Sequence, residues 1–259
     1  MVIQAYLYSS LIIFIFMTVA FCIAHLKKNN GLADIAWGTG FILIALFTFF
    51  KYGSYSSQQI IATLLVLIWG IRISGYLALR NWNKPEDSRY AAMRADWGRQ
   101  VIIRSFLQVF MLQGAILLII MAPVIVINCS AWQPWHMINF LGLLLWITGF
   151  LCETIGDYQL HRFLHNSHSQ GQIMTEGLWK YTRHPNYFGE SMMWWGIWII
   201  ALSSPYGVFT VISPLLLTYL LLYVSGIPLA EIPFKNNLVY QEYAQRTSSF
   251  IPWPPKNIR

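Results

Sequence analysis

Apolar residues run through this chain in seven long blocks, at roughly 5–24, 34–50, 60–79, 101–128, 137–160, 186–203 and 207–229. A helix needs about 20 mostly apolar residues to cross a bilayer, so each block predicts a spanning helix. The fourth block is long enough to begin as an interfacial segment. Glu153 and Asp157 interrupt the end of the fifth. Only the Ser203-Ser204-Pro205-Tyr206 turn separates the sixth and seventh, which predicts a tight hairpin. Between the blocks, 81–100 reads as a polar loop with helical character. The tail from Lys235 to Arg259 reads as amphipathic and then Pro-rich, with Trp253 suited to a membrane interface.

Composition agrees with lipid as the main solvent: 56% of the 259 residues are hydrophobic and 10% are charged. Soluble domains carry about 25% charge, and no polar block here is long enough for a separate soluble domain. The expectation is one integral-membrane domain over 1–259. Within it, residues 1–100 supply the substrate side and 150–259 the cofactor side. The formal charge of +7 does not point to nucleic acid, because the basic residues sit in short loops rather than on one face.

Their distribution orients the chain. Lys27 and Lys28 follow the first block; Arg80, Lys84, Arg89, Arg94, Arg99 and Arg104 lie around the third loop and the start of the fourth block. Arg162, Lys180 and Arg183 follow the fifth, and Lys235, Arg246, Lys256 and Arg259 the seventh. Only Lys51 falls on the other side, with Arg72 inside a block. The expected fold class is therefore an all-α membrane protein with seven transmembrane helices, N-terminus outside and C-terminus cytoplasmic. The apolar start lacks a basic leader and a small-residue cleavage pattern, so it reads as a retained helix.

Ionisable residues inside a bilayer cost several kcal/mol on some scales and face a partner or a polar cavity. Asp34, Arg72, Glu153, Asp157, Glu190 and Glu231 all fall in or near the cytoplasmic half of a predicted helix. Glu153, Asp157 and His161 share one helical face by their four-residue spacing. Asn186, Glu190 and Trp194 share another, and Arg72 and Tyr76 a third, with Trp69 one turn earlier. Ion pairing of Arg72 with Asp34 or Glu153 would explain single members. It does not explain the set, since acids outnumber the buried base.

Before the sixth block, the loop Gly177-Leu-Trp-Lys-Tyr-Thr-Arg-His-Pro-Asn-Tyr-Phe-Gly-Glu190 puts Lys180, Arg183 and His184 just ahead of a helix that Pro185 is suited to start. A helix N-terminus favours anions, so the loop suits a phosphate-bearing ligand or, alternatively, anionic lipid head groups. His161, His165 and His168 do not complete a zinc spacing, and no metal is expected. Cys22, Cys129 and Cys152 have no paired spacing, and no nucleophile–base pair is visible. Trp37, Trp69, Trp194 and Trp195 would suit the lining of a cavity for a flat apolar ligand. The patterns carry no signal of an oligomer.

The Gly177–Glu190 segment, the Gly156-Asp157-Tyr158 stretch and the terminal Tyr240-Gln-Glu-Tyr243-Ala-Gln-Arg246…Ile251-Pro252 resemble the C-terminal region of the steroid 5-alpha-reductase family. Asn30-Gly31-Leu-Ala-Asp34-Ile-Ala-Trp37-Gly38 resembles the opening of its bacterial branch. The resemblance implies seven helices in a bacterial inner membrane and NADPH in a cytoplasm-facing cavity. It also implies hydride transfer to a conjugated carbon–carbon double bond of a hydrophobic, lipid-like substrate (steroid, isoprenoid or enone). By motif position, Asn186, Tyr187 and Glu190 would contact the nicotinamide or its ribose, and Glu153 and Asp157 ribose or amide groups. Arg72, Arg162, Lys180, Arg183, Tyr243 and Arg246 are the candidates for the phosphates and adenosine end. Tyr181 and His184, inside the motif loop, complete the implied cofactor set.

The family polarises the substrate carbonyl with a glutamate and a tyrosine. The matching places here hold Asp34 and Trp69, so Asp34, Trp69 and, as substitute phenol, Tyr76 are the candidate catalytic residues. The Arg183-His184-Pro185-Asn186-Tyr187 core also resembles the isoprenylcysteine carboxyl methyltransferase and phospholipid methyltransferase families, which bind S-adenosylmethionine. Glu190 directly after Gly189 favours the reductase. A non-catalytic lipid-binding protein or transporter is the third reading, without the paired broken helices transporters show.

Overall fold

The structure, a computed structural model, describes residues 1–81, 85–131, 134–166 and 172–256. Lys84 and Arg259 of the charge count, and His168 of the histidine run, lie outside the described residues. Among the described residues the chain is helical with no strand, only an isolated parallel bridge between Thr182 and Ser248.

Among the described residues, six helices are long and apolar enough to cross a membrane by length and composition. They are α1 (Val2–Lys27), α2 (Leu32–Tyr52), α3 (Ser57–Asn81), α4 (Ser88–Ile120), α6 (Met137–Leu164) and α8 (Gly207–Phe234). Between them lie α5 (Ala122–Cys129) and α7 (Pro185–Ala201), and α9 (Leu238–Arg246) follows α8. The sixth apolar block forms α7, which has 17 residues.

The fourth block differs in detail from the expected 101–128. The helix starts earlier, at Ser88, because Asp87 caps it by accepting from Arg89 N at 3.0 Å. It passes Gly98 (φ +48°) and a π-helical stretch, Ser105–Met111. It ends at Ile120, since Pro123 has no N–H to continue the ladder and instead sits in the first turn of α5.

The chain separates into two compact units, Met1–His136 with Ala201–Ser213, and Met137–Ile200 with Pro214–Arg259. In the first, α2 and α3 cross at Gly38 and Gly70, where a Cβ on either would lie 3.1 Å from the other's carbonyl oxygen. Phe41, Ile44, Trp69, Phe110 and Leu117 fill the core around that crossing. Asn128 is satisfied inside it: its Nδ2 donates to Thr48 Oγ1 (3.0 Å) and Ala45 O (3.3 Å).

In the second unit, Gly142, Gly149 and Gly156 recur every seven residues along α6. A Cβ on Gly142 would come within 2.6 Å of Gly196 O, one on Gly149 within 2.5 Å of Gly189 O, and one on Gly156 within 3.1 Å of Pro185. Small residues let helix backbones approach this closely. The seam therefore fixes the register of α6 against α7, and with it the faces that carry Glu153, Asp157 and Asn186.

Candidate functional site

The candidate residues divide between the units: Asp34, Trp69, Arg72 and Tyr76 belong to the first, all the others to the second.

In the first unit, Asp34 stands in the opening turn of α2, one turn before the Gly38 crossing. Its Oδ1 accepts from Tyr90 Oη at 2.6 Å, and its Oδ2 lies 3.4 Å from Arg89 Nη2. Tyr90 is itself buried and receives Gln113 Nε2 at 3.4 Å. Arg89 is held in turn by Asp87, Nε to Oδ1 at 3.0 Å. Beside this set, Glu86 accepts the Asn30 N–H at 2.6 Å and both Nε and Nη2 of Arg94 at 3.0 Å. Burial pushes the Glu86 carboxyl up, but Arg94 and the Asn30 N–H together hold it below the ordinary carboxylate range. The Arg89 hydrogen bond does the same for Asp87. Residues 86–94 thus form a strap pinned by charge across the start of α2.

Trp69 is buried with its ring edge-on to Phe41, 5.1 Å between centroids, and Phe41 meets Trp37 likewise at 5.1 Å. Arg72 is half-buried on α3. The Arg80 guanidinium lies over the Tyr76 ring at 5.8 Å. The phenol on Asp34 is therefore Tyr90, a residue the sequence reading did not single out. Its only sequence signal is a cap, Asp87, opening a short helix in a polar loop; the 56-residue separation from Asp34 hides the pairing.

In the second unit the motif loop is bound to the C-terminal tail. Gly177 takes φ +60°, and the Gln159 side chain occupies the space a Cβ would need, so only glycine fits easily. Trp179 Nε1 donates to Gly156 O (3.1 Å), and Tyr243 Oη donates to Trp179 O. Thr182 Oγ1 donates to Phe250 O (2.8 Å), Arg183 N to Ser248 O (2.8 Å), and Trp253 N to Tyr181 O (2.9 Å).

Arg183 sends Nε to Glu231 Oε1 (2.9 Å) and Nη1 to the carbonyls of Ala244 (3.1 Å) and Thr247 (2.8 Å). His184 Nε2 meets the same Glu231 oxygen at 2.9 Å, and its ring stacks on Tyr187, 5.3 Å between centroids and 8° apart. Burial raises the Tyr240 phenol pKa, and the neighbouring Glu231 carboxylate raises it further. Arg183 thus ties the motif loop to the end of α8 and to the tail, and His184 ties it to the end of α8.

Asn186 and Asp157 are brought together, Nδ2 to Oδ1 at 3.2 Å. Asn186 Oδ1 has no hydrogen-bond partner among the described residues although it is shielded from solvent. Glu153 is buried on α6, its backbone against Gly189, and Glu190 is half-buried one residue on. Lys180, Tyr243 and Arg246 line one cleft of about 280 Å³ with Thr175, Val239, Glu242, Thr247 and Pro255. Arg162 is exposed at the end of α6, and Tyr181 is exposed in the loop. Among the described residues no cluster of His, Cys, Asp and Glu could hold a metal.

The DUF1295 family, described as a protein of unknown function, matches residues 20–247, and the chain belongs to that family. Comparison with curated proteins and with solved structures gives no match.

Proposed function

We propose that this chain is a membrane-embedded reductase that transfers a hydride from NADPH to a carbon–carbon double bond conjugated to a carbonyl, in a steroid-, isoprenoid- or enone-like lipid. The observation that carries the reading is the Asp34–Tyr90 contact of 2.6 Å. The resemblance calls for an acid and a phenol at the substrate carbonyl, and this is an acid and a phenol already in register.

A phenol donor at the carbonyl oxygen stabilises the negative charge that builds there as the double bond is reduced. Asp34, linked to Tyr90 and flanked by Arg89, orients that donor. The packed Trp37–Phe41–Trp69 rings give the first unit an apolar interior suited to a lipid-like molecule.

The residues of the second unit fit the cofactor. Asn186 Oδ1 is an amide acceptor without a donor among the described residues, suited to a carboxamide N–H, and Asp157 fixes its orientation. Lys180 and Arg246 supply cations to one cleft, whose volume suits a phosphate and sugar rather than a whole dinucleotide. When bound, NADPH supplies the hydride and leaves oxidised, while a proton from solvent completes the saturated product.

In the bilayer we place seven spans, the six long helices and α7, with the N-terminus outside and the C-terminus in the cytoplasm of a bacterial inner membrane. The support is the charge asymmetry, and the 17 residues of α7 reach the lower end of the ~17–25 that a span takes. The motif loop and tail then face the cytoplasm, where NADPH is found.

Calorimetric titration of purified protein with NADPH and with S-adenosylmethionine tests the reading. NADPH alone should bind. Binding of S-adenosylmethionine alone would move the chain to the methyltransferases, and binding of neither to the non-catalytic reading.

A further inference from the structure

Tyr90 has one proton and two polar neighbours. The Tyr90 hydroxyl donates to Asp34 Oδ1 at 2.6 Å, and Arg89 Nη2 stands 3.4 Å from Asp34 Oδ2. The Tyr90 proton therefore lies toward Asp34, and Gln113 must donate to the phenol oxygen, as Nε2 does at 3.4 Å.

That orientation commits the Gln113 amide. Its Oε1 faces away from Tyr90, is cut off from solvent and has no partner among the described residues. Gln113 sits well inside α4, a candidate span, where bulk water is absent. An acceptor buried without a donor costs about 1–3 kcal/mol. Turning the amide over would bring Oε1 to Tyr90, but the phenol's single proton is already directed at Asp34. Two acceptors would then face one donor.

We propose that Gln113 is a positioning and specificity residue of the Asp34–Tyr90 site. Its Nε2 holds the Tyr90 oxygen in place; without substrate the phenol proton points at Asp34, and a bound carbonyl oxygen takes that donor over from the carboxylate. Its Oε1 accepts a hydrogen bond from a hydroxyl on the substrate. The substrate class narrows accordingly to a hydroxylated lipid-like enone. The inference rests on the reading that Asp34 and Tyr90 meet the substrate carbonyl.

The test uses full-length protein in detergent, titrated by calorimetry with a long-chain γ-hydroxy enone and with its methyl ether, which differ only in the donor. Wild type should bind the alcohol at least about tenfold more tightly, the worth of one good hydrogen bond. Q113M should bind the two alike. Without ligand it should melt no lower than wild type, because it loses one long contact together with one unsatisfied oxygen.

A melting point several degrees lower would make Gln113 a structural residue and overturn the assignment. Equal affinity of wild type for alcohol and ether, or binding of neither, overturns it too. NADPH oxidation is read in the same samples. Discrimination without oxidation upholds Gln113 and removes the reductase; oxidation without discrimination does the reverse.

Discussion

Arg183 Nε lies 2.9 Å from Glu231 Oε1, and its Nη1 donates to the carbonyls of Ala244 and Thr247. One side chain thus joins the motif loop, the end of α8 and the C-terminal end of α9. Hydrogen bonds to a charged group contribute about 1.5–3 kcal/mol each, and a buried charge left without its partner costs more than the pair is worth. R183M, which leaves Glu231 with His184 and Tyr240, should lower stability by about 3 kcal/mol and free the tail. Thermal unfolding in detergent and proteolysis after α9 read both effects. A variant that keeps its melting point and its protected tail would remove Arg183 from this role.

The strap over α2 should open in acid. Glu86 titrates below its unfolded value near 4.3, with burial opposing and Arg94 and the Asn30 N–H overcoming it. A depressed carboxylate contributes stability above its unfolded pKa and loses it as pH falls through the folded one. The strap should hold at neutral pH and release only below about pH 4. Asp87 shifts the same way, but it is more exposed and more screened. Hydrogen exchange over 30–36 and 86–94 should rise on acidification in wild type, and should already be high in E86Q at pH 7.

The phenol assignment makes Tyr90 and Tyr76 separable. General acid and electrostatic contributions to the barrier are worth about 10²–10⁴-fold in rate. Y90F should lower kcat for enone reduction by that order, with little change in NADPH binding. Y76F, whose ring lies under Arg80, should fall within a few-fold of wild type. The reverse ranking would return the role to Tyr76.

The register of α6 and α7 depends on glycine. A Cβ at position 189 would press on the Gly149 carbonyl and come within 2.6 Å of Glu153 N. Both are backbone atoms, which cannot turn aside, and overpacking of this kind costs about 1–3 kcal/mol. G189A should be destabilised by that amount and should also weaken cofactor binding, because Glu153 and Glu190 move with the helices. G75A, where nothing lies within 4 Å, is the control and should do neither.

Much of this was legible in the chain itself, because membrane helices announce themselves by length and hydropathy. The blocks around 5–24, 34–50 and 60–79 fall inside α1, α2 and α3. The break at Met121 was hidden within an unbroken apolar run, where only Pro123 marked it. Asn186 and Asp157 stand out in the chain on two separate helical faces, and the Gly149–Gly189 seam is what lets them meet. The Asp34–Tyr90 contact was not legible, since pairing across 56 residues leaves no periodic trace. Nor did loop charge alone reveal that Arg183 is occupied by Glu231 and the tail, because a cation before a helix reads alike whether it meets a ligand or a carbonyl.

The cleft of Lys180 and Arg246 carries a prediction of two signs. If it takes a phosphate, K180A and R246A should each weaken NADPH binding about tenfold, the worth of one charge-assisted hydrogen bond. The loss should shrink as ionic strength rises, because both groups are exposed and screened. Glu242 lines the same cleft and repels an anion placed there, so E242Q should tighten binding while the two cation variants loosen it. A merely structural cleft would give three losses of stability and no such reversal. Titration with NADPH at two salt concentrations separates the cases, and E242Q binding no more tightly than wild type would place the phosphate elsewhere.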